Sequence, residues 1–203
     1  MIGSRAVLVP AALVSVIAVG ACKGKEAATD TTAMAPPPAA AGSTTAATPA
    51  PAALTDANIV YILDQANAAD SGRGRVAETK GTSADVKQFG RLMVGEHHAL
   101  RAQGQSLAKK LNVTPQAPSG DQSEAQAKQE LDSLNAMAKG AAWDKAYIDY
   151  EVTYHQQVLQ TATKALDAAQ NAELKDLIKK AAPILQRHLD RAQQIQKKLG
   201  TAA

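Results

Sequence analysis

Three histidines, one aspartate and one glutamate are the residues whose spacing points to chemistry. His97 falls in the series Val86, Gly90, Met93, His97, Leu100, Gly104, Leu107 and Leu111, whose steps alternate between four and three. That alternation marks the buried seam of a bundle helix. His155 lies in the series Ile148, Val152, His155, Leu159, Ala162 and Leu166, with Glu151 one turn before it on the same side. His188 interrupts Leu174, Ile178, Ala181, Leu185, Ala192, Ile195 and Leu199. Asp70 sits in a fourth series with Ile59, Leu63, Ala66, Arg73 and Ala77. His98 is turned about 100° from its neighbour and is expected to face solvent.

Each of these groups lies near the middle of its helix. In an antiparallel bundle, mid-helix positions share a level, so Asp70, His97, His155 and His188 are expected to converge in one layer of the core. Burying polar groups is costly unless they find partners. Two solutions are open. The groups can hydrogen-bond to one another, helped by Tyr hydroxyls and a trapped water. Alternatively, three imidazoles with Asp70, and Glu151 as a ligand or as a group that orients a ring, can hold Zn, Fe, Mn or Cu. Met93, one turn from His97, reads as core packing rather than a soft copper ligand.

These side chains need four long helices to position them. The periodicity predicts helices over 56–80, 84–111, 142–168 and 172–199, with a short one over 122–138. At 1.5 Å per residue the long ones span about 36–42 Å each, so they match in length. Thr55 or Asp56 is expected to cap the first, Thr82 with Asp85 the second, Asp121 with Glu124 the short one, and Asn171 the last, which Gly200 should close. Gly72 and Gly74 weaken the first helix, and Pro183 should kink the last. The fold class is therefore all-α: an antiparallel four-helix bundle over residues 54–200, with an extra short helix between its second and third long helices.

The composition agrees. Hydrophobic residues make up 45% of the chain but aromatics only 3%, so much of the apolar share is Ala, a strong helix former. A net charge of +3 from 22 basic and 19 acidic residues is too even to suggest nucleic acid. One Cys excludes an intrachain disulfide.

That Cys belongs to an address. Arg5 precedes an apolar run from Ala6 to Val19, too short to span a membrane and right for a signal peptide. The run ends Val19-Gly20-Ala21-Cys22, which looks like a bacterial lipobox; simple cleavage after Ala21 is the alternative. The reading is a signal peptide over 1–21 and acylated Cys22. A disordered Ala/Thr/Pro-rich tether follows over 22–53. The product would be exported and lipid-anchored, by default in the outer membrane facing the periplasm.

Several stretches resemble a bacterial family of exported proteins, the domain-of-unknown-function 4142 family. They are Ala84-Asp85-Val86-Lys87-Gln88-Phe89-Gly90, Met93-Val94-Gly95-Glu96-His97, Trp143-Asp144-Lys145-Ala146-Tyr147-Ile148 leading to His155, and Pro183-Ile184-Leu185-Gln186-Arg187-His188-Leu189. The resemblance implies a ferritin-like fold, places His97, His155 and His188 on the family's His positions, and implies no activity. Two departures matter. Gly72 stands near the place where the family often has Glu in its first helix. The chain also has no Glu-x-x-His, the paired motif of ferritin-type di-iron sites, so no ferroxidase is expected.

Gly-x-Ser-x-Gly, His-Glu-x-x-His and a phosphate-binding loop are all missing, so a conventional enzyme is not expected. The leading expectation is a non-enzymatic binding or structural module of the cell envelope, with an unknown protein partner; an exposed apolar patch along Trp143, Tyr147, Tyr150 and Tyr154 would support it, although such a stripe reads first as core and boundary packing. The alternative is metal binding for storage, scavenging or stress defence.

Overall fold

The structure is a computed structural model that describes residues 53–201. The proposed signal peptide, Cys22 and the tether up to residue 52 lie outside the described residues. Five helices follow one another: α1 (Asp56–Lys80), α2 (Ala84–Lys110), α3 (Ser123–Ala136), α4 (Ala141–Ala168) and α5 (Ala172–Thr201). Among the described residues there is no strand, and the fold is the expected all-α bundle. No described helix is long and apolar enough to cross a membrane.

The helices pair as two hairpins, α1 with α2 and α4 with α5. Two separate groups of core residues give the directions. Ala77, Val86, Phe89, Trp143, Tyr147 and Ile195 pack at one end, so the C-terminus of α1 meets the N-termini of α2 and α4 and the C-terminus of α5. Ile59, Ala108, Ala165 and Leu174 pack at the other end. The chain therefore runs up, down, down and up. Residues 111–140, which contain α3, carry it back along the length of the bundle. A single long crossover of this kind is the connectivity of ferritin-like bundles.

α1 and α2 approach closely where two glycines face each other. A Cβ on Gly74 would lie 2.7 Å from the Gly90 carbonyl oxygen, and a Cβ on Gly90 would lie 2.7 Å from that of Gly74. Gly74 is thus not merely a weak point in α1; it lets two backbones touch. Gly72 meets nothing within 4 Å and carries the helix penalty alone.

The helix ends differ from the local reading. Thr55 and Asn58 form a capping box on α1, and Asn171 Oδ1 accepts from the amides of Glu173 and Leu174 on α5, as expected. The Thr82–Asp85 box does not form: Ser83 is the N-cap of α2 and makes no side-chain cap. Asp144 of α4 does that work instead, accepting from the Thr82 amide at 2.8 Å and the Ser83 amide at 2.7 Å. Asp56 reciprocates at the other end, accepting from the Gln170 and Asn171 amides at 2.8 and 3.0 Å. Each hairpin thus fastens the turn of the other. Asp85 is freed to pair with Arg191 and Lys198 on α5. Asp121 holds Ser123, and Gln122 is the N-cap of α3, so the Asp121–Glu124 box is also absent. α5 continues through Pro183 and past Gly200 to Thr201.

α3 is held through its C-terminal half, where Glu130 meets Arg73 and Tyr150. Leu134 is its one buried residue. Lys80 Nζ donates to the carbonyls of Leu134, Asn135 and Met137, and Trp143 Nε1 donates to Leu134 at 2.8 Å. Cations suit a helix C-terminus because its carbonyls point outward unpaired.

Candidate metal centre

The structure brings all five predicted site residues together. Asp70, Glu151, His155 and His188 are 0% exposed and His97 is 1% exposed. The ring centroids lie 5.7 Å apart for His97 and His155, 4.9 Å for His97 and His188, and 5.4 Å for His155 and His188. His98 is exposed, as its angle predicts.

What holds each ring decides its chemistry. His97 Nδ1 donates to Asn67 Oδ1 at 2.9 Å. The amide cannot be the other way round, because Asn67 Nδ2 donates to the Leu63 carbonyl at 2.6 Å. His155 Nδ1 donates to the Glu151 backbone carbonyl at 2.9 Å. His188 Nε2 donates to Glu96 Oε2 at 2.8 Å. A neutral imidazole has one N–H, and each ring spends it outward on an acceptor. The nitrogens left over are His97 Nε2, His155 Nε2 and His188 Nδ1, and none has a hydrogen-bond partner. The rings offer ligand atoms within 4.8 Å of one another. Three lone pairs face inward, and lone pairs cannot bond one another. In these tautomers the rings do not hydrogen-bond to one another directly; a donor such as the Tyr147 hydroxyl or a water, an added proton, or a metal ion would satisfy their inward nitrogens.

Arg73 governs the carboxylates. Its Nη2 donates to Asp70 Oδ1 at 2.6 Å and its Nε donates to Glu151 Oε1 at 3.1 Å. Its Nη1 lies 3.5 Å from Glu130 Oε2 on α3. The guanidinium carbon sits 4.0 Å from the Tyr154 ring centroid and 4.7 Å from that of Tyr150, within cation–π range of both. Burial works against the charge, but Asp70 and Glu151 hold the Arg73 pKa well above its ordinary value. Removing one partner of such a buried pair typically costs about 3–5 kcal/mol.

Each carboxylate keeps one oxygen free. Asp70 Oδ2 and Glu151 Oε2 have no hydrogen-bond partner. Asp70 Oδ2 lies 3.5 Å from His97 Nε2, and Glu151 Oε2 lies 3.4 Å from His155 Nδ1. Asp70, Glu151 and His155 form a second trio of potential ligands. The Tyr147 hydroxyl, one turn from Glu151, is also buried without a partner.

The charges respond to this setting. Burial pushes the His97 pKa down. Burial, aided by repulsion from His97, pushes His188 down to about 4. For His155 burial also opposes the charged form, but hydrogen bonding to Glu151 outweighs it and the pKa rises. Burial would raise the Asp70 pKa, yet its interactions with the His97 ring and the Arg73 guanidinium draw it below the ordinary value.

A family model with the description "Domain of unknown function (DUF4142)" matches residues 41–195, most of the chain. The chain belongs to the DUF4142 family. No curated protein and no solved structure matches it. In this DUF4142 chain the three His that carry the sequence resemblance are the three that converge.

Sequence reading missed Asn67 and Glu96, which lie one residue off the seams and orient His97 and His188. It placed Arg73 on the seam without a role. The aromatic stripe does not form an exposed patch. Trp143 and Tyr147 are fully buried, and Tyr150 and Tyr154 are half-buried against Arg73. Met93 is fully buried in the core and belongs to its packing.

Proposed function

We propose that this DUF4142 domain is a metal-binding module that holds one transition-metal ion on His97, His155 and His188, with Asp70 as a fourth ligand. The carrying observation is the convergence of three unpartnered imidazole nitrogens whose opposite nitrogens are each tied to a different acceptor. Metal-ligating histidines characteristically donate their other N–H to a carboxylate, a carbonyl or water. Here an amide, a main-chain carbonyl and a carboxylate supply those acceptors. The buried charge agrees: Asp70 and Glu151 bring two negative charges and Arg73 one positive, so a cation completes the layer. Three nitrogens and one oxygen suit Zn, Cu, Fe or Mn, with the imidazoles favouring the first three. Arg73 already spans Asp70 and Glu151, which favours one ion over a dinuclear centre.

The module is read as non-catalytic, serving metal storage, scavenging or delivery. A proton on His155 is the competing occupant, supported by the raised pKa of that residue. We propose in addition that acylated Cys22 displays the domain from the outer membrane. Cys22→Ser should then move the protein from the membrane to the soluble fraction, and unchanged partitioning would remove the anchor.

Elemental analysis of protein purified without affinity tag or chelator tests the metal reading. We expect near-stoichiometric metal that is lost in His155→Ala and kept in the exposed control His98→Ala. Metal-free protein that also fails to take up Zn, Cu, Mn or Fe would leave the proton as occupant.

A further inference from the structure

We infer that the half of the bundle between the His layer and the α4–α5 turn contains a second binding site, one for a small neutral apolar molecule. A cavity of about 210 Å³ lies there. It is separate from the metal centre, since none of the five candidate ligands lines it.

Its position is fixed by helix register. Asn67 precedes Asp70 by three residues, Leu100 follows His97 by three, Val158 follows His155 by three, and Leu185 precedes His188 by three; all four line the cavity. Given the helix directions, each of those steps leads toward the same end of the bundle. The cavity therefore rests directly on the polar layer, on the side where alanines replace large side chains. Ala66 and Ala181 occupy inward seam positions there and remain only half-buried, as does Leu63. Small side chains at inward positions leave space that neighbouring helices cannot close.

The wall chemistry selects the ligand. No buried polar atom that lacks a partner lines this cavity, although such atoms crowd the layer beside it. Val60, Leu63, Leu100, Val158 and Ile178 give it apolar walls, beside neutral Gln and Thr side chains. Its charged lining residues are already engaged: Arg101 Nε donates to Asp64 Oδ1 at 2.9 Å, the Tyr150 hydroxyl donates to Glu130, which also lies 3.5 Å from Arg73 Nη1, and Asp121 accepts from the Ser123 hydroxyl. A charged molecule would have to break one of these pairings to recover the water it loses. The volume excludes a peptide helix. Apolar cavities of about 150 Å³ take up benzene, so this one matches one or two fused rings or an equally compact aliphatic. Entry is available past the N-terminal half of α3. Asp121, Ser123 and Gln126 border the cavity there, while the side chains that tie α3 to the bundle begin at Glu130.

Titration of the full-length protein with naphthalene and indole, followed by NMR shift perturbation, tests the site. Ala66→Phe and Ala181→Phe fill the cavity from two different helices. We expect saturable binding to the native protein and a Kd raised at least tenfold, about 1.4 kcal/mol, in both variants. Circular dichroism and metal content should be unchanged. If either Phe variant fails to fold, Ala66→Leu replaces it. Absence of saturable binding, undiminished binding in the filled variants, or equal affinity for benzoate would each overturn the proposal.

Discussion

The two halves of the bundle on either side of the His layer are built from different materials. One half buries Phe89, Met93, Trp143, Tyr147, Ile148 and Ile195. The other buries Ile59, Leu174 and Ile178 among Ala108, Ala162, Ala165 and Ala169. Large side chains fill the first half and pin α3 through Trp143. In the second half the alanines satisfy the helix and the periodicity but not the volume, and a cavity remains. Apolar patterning sets which face turns inward, while side-chain size sets whether that face is filled.

Truncation gives the largest expected contrast. Phe89 is 1% exposed and packs edge-on to Tyr147, with centroids 6.2 Å apart, so Phe89→Ala should cost about 3–5 kcal/mol in denaturant unfolding. Leu63→Ala removes a half-buried side chain that already borders empty space, and should fall at or below the low end of its class, about 2 kcal/mol. Equal losses at the two positions would show the halves to be equally packed. If the proposed centre binds metal, the ion should act on both halves together, because the proposed ligands come from both hairpins. At a free metal concentration of 100 times Kd, binding should add about 2.7 kcal/mol to stability. A chelator should reverse this, and a melting temperature blind to every metal would argue against the centre.

Two glycine substitutions sharpen the comparison at smaller scale, and they should have opposite signs. Gly90→Ala drives a Cβ to 2.7 Å from the Gly74 carbonyl in the well-filled half, an overpacking cost of about 1–3 kcal/mol. Gly104→Ala adds a methyl beside the cavity, where nothing lies within 4 Å, and should stabilise the helix by up to about 1 kcal/mol. Thermal unfolding of the pair decides it; a stabilised Gly90→Ala would mean that the α1–α2 contact is looser than the structure has it.

The helices and the polar layer were legible because both are properties of single helices. An ionisable residue inside an unbroken apolar series, as at His97 or His188, declares its own burial. Other features depend on which helices become neighbours. Asp144 sits 62 residues from the Thr82 amide it receives, and a rule that looks three residues ahead assigned that turn to Asp85 instead. Glu96 looks like a surface residue until α5 packs beside it. The cavity was hidden for another reason: Ala66 and Ala181 fit the seam perfectly well by polarity and fail it only by volume.

The reciprocal fastening by Asp56 and Asp144 has a consequence for tolerance. His97 belongs to one hairpin, and His155 and His188 to the other, so the proposed centre is assembled across a joint. Slippage of one hairpin past its neighbour by a single residue would displace the ligands by about 1.5 Å, far outside the ±0.2 Å or so that a metal site accepts. Two carboxylates at opposite ends act as alignment pins for a fitting machined halfway between them. Metal affinity should therefore gauge alignment: Asp144→Asn, about 16 Å along α4 from His155, should weaken binding with every ligand still in place.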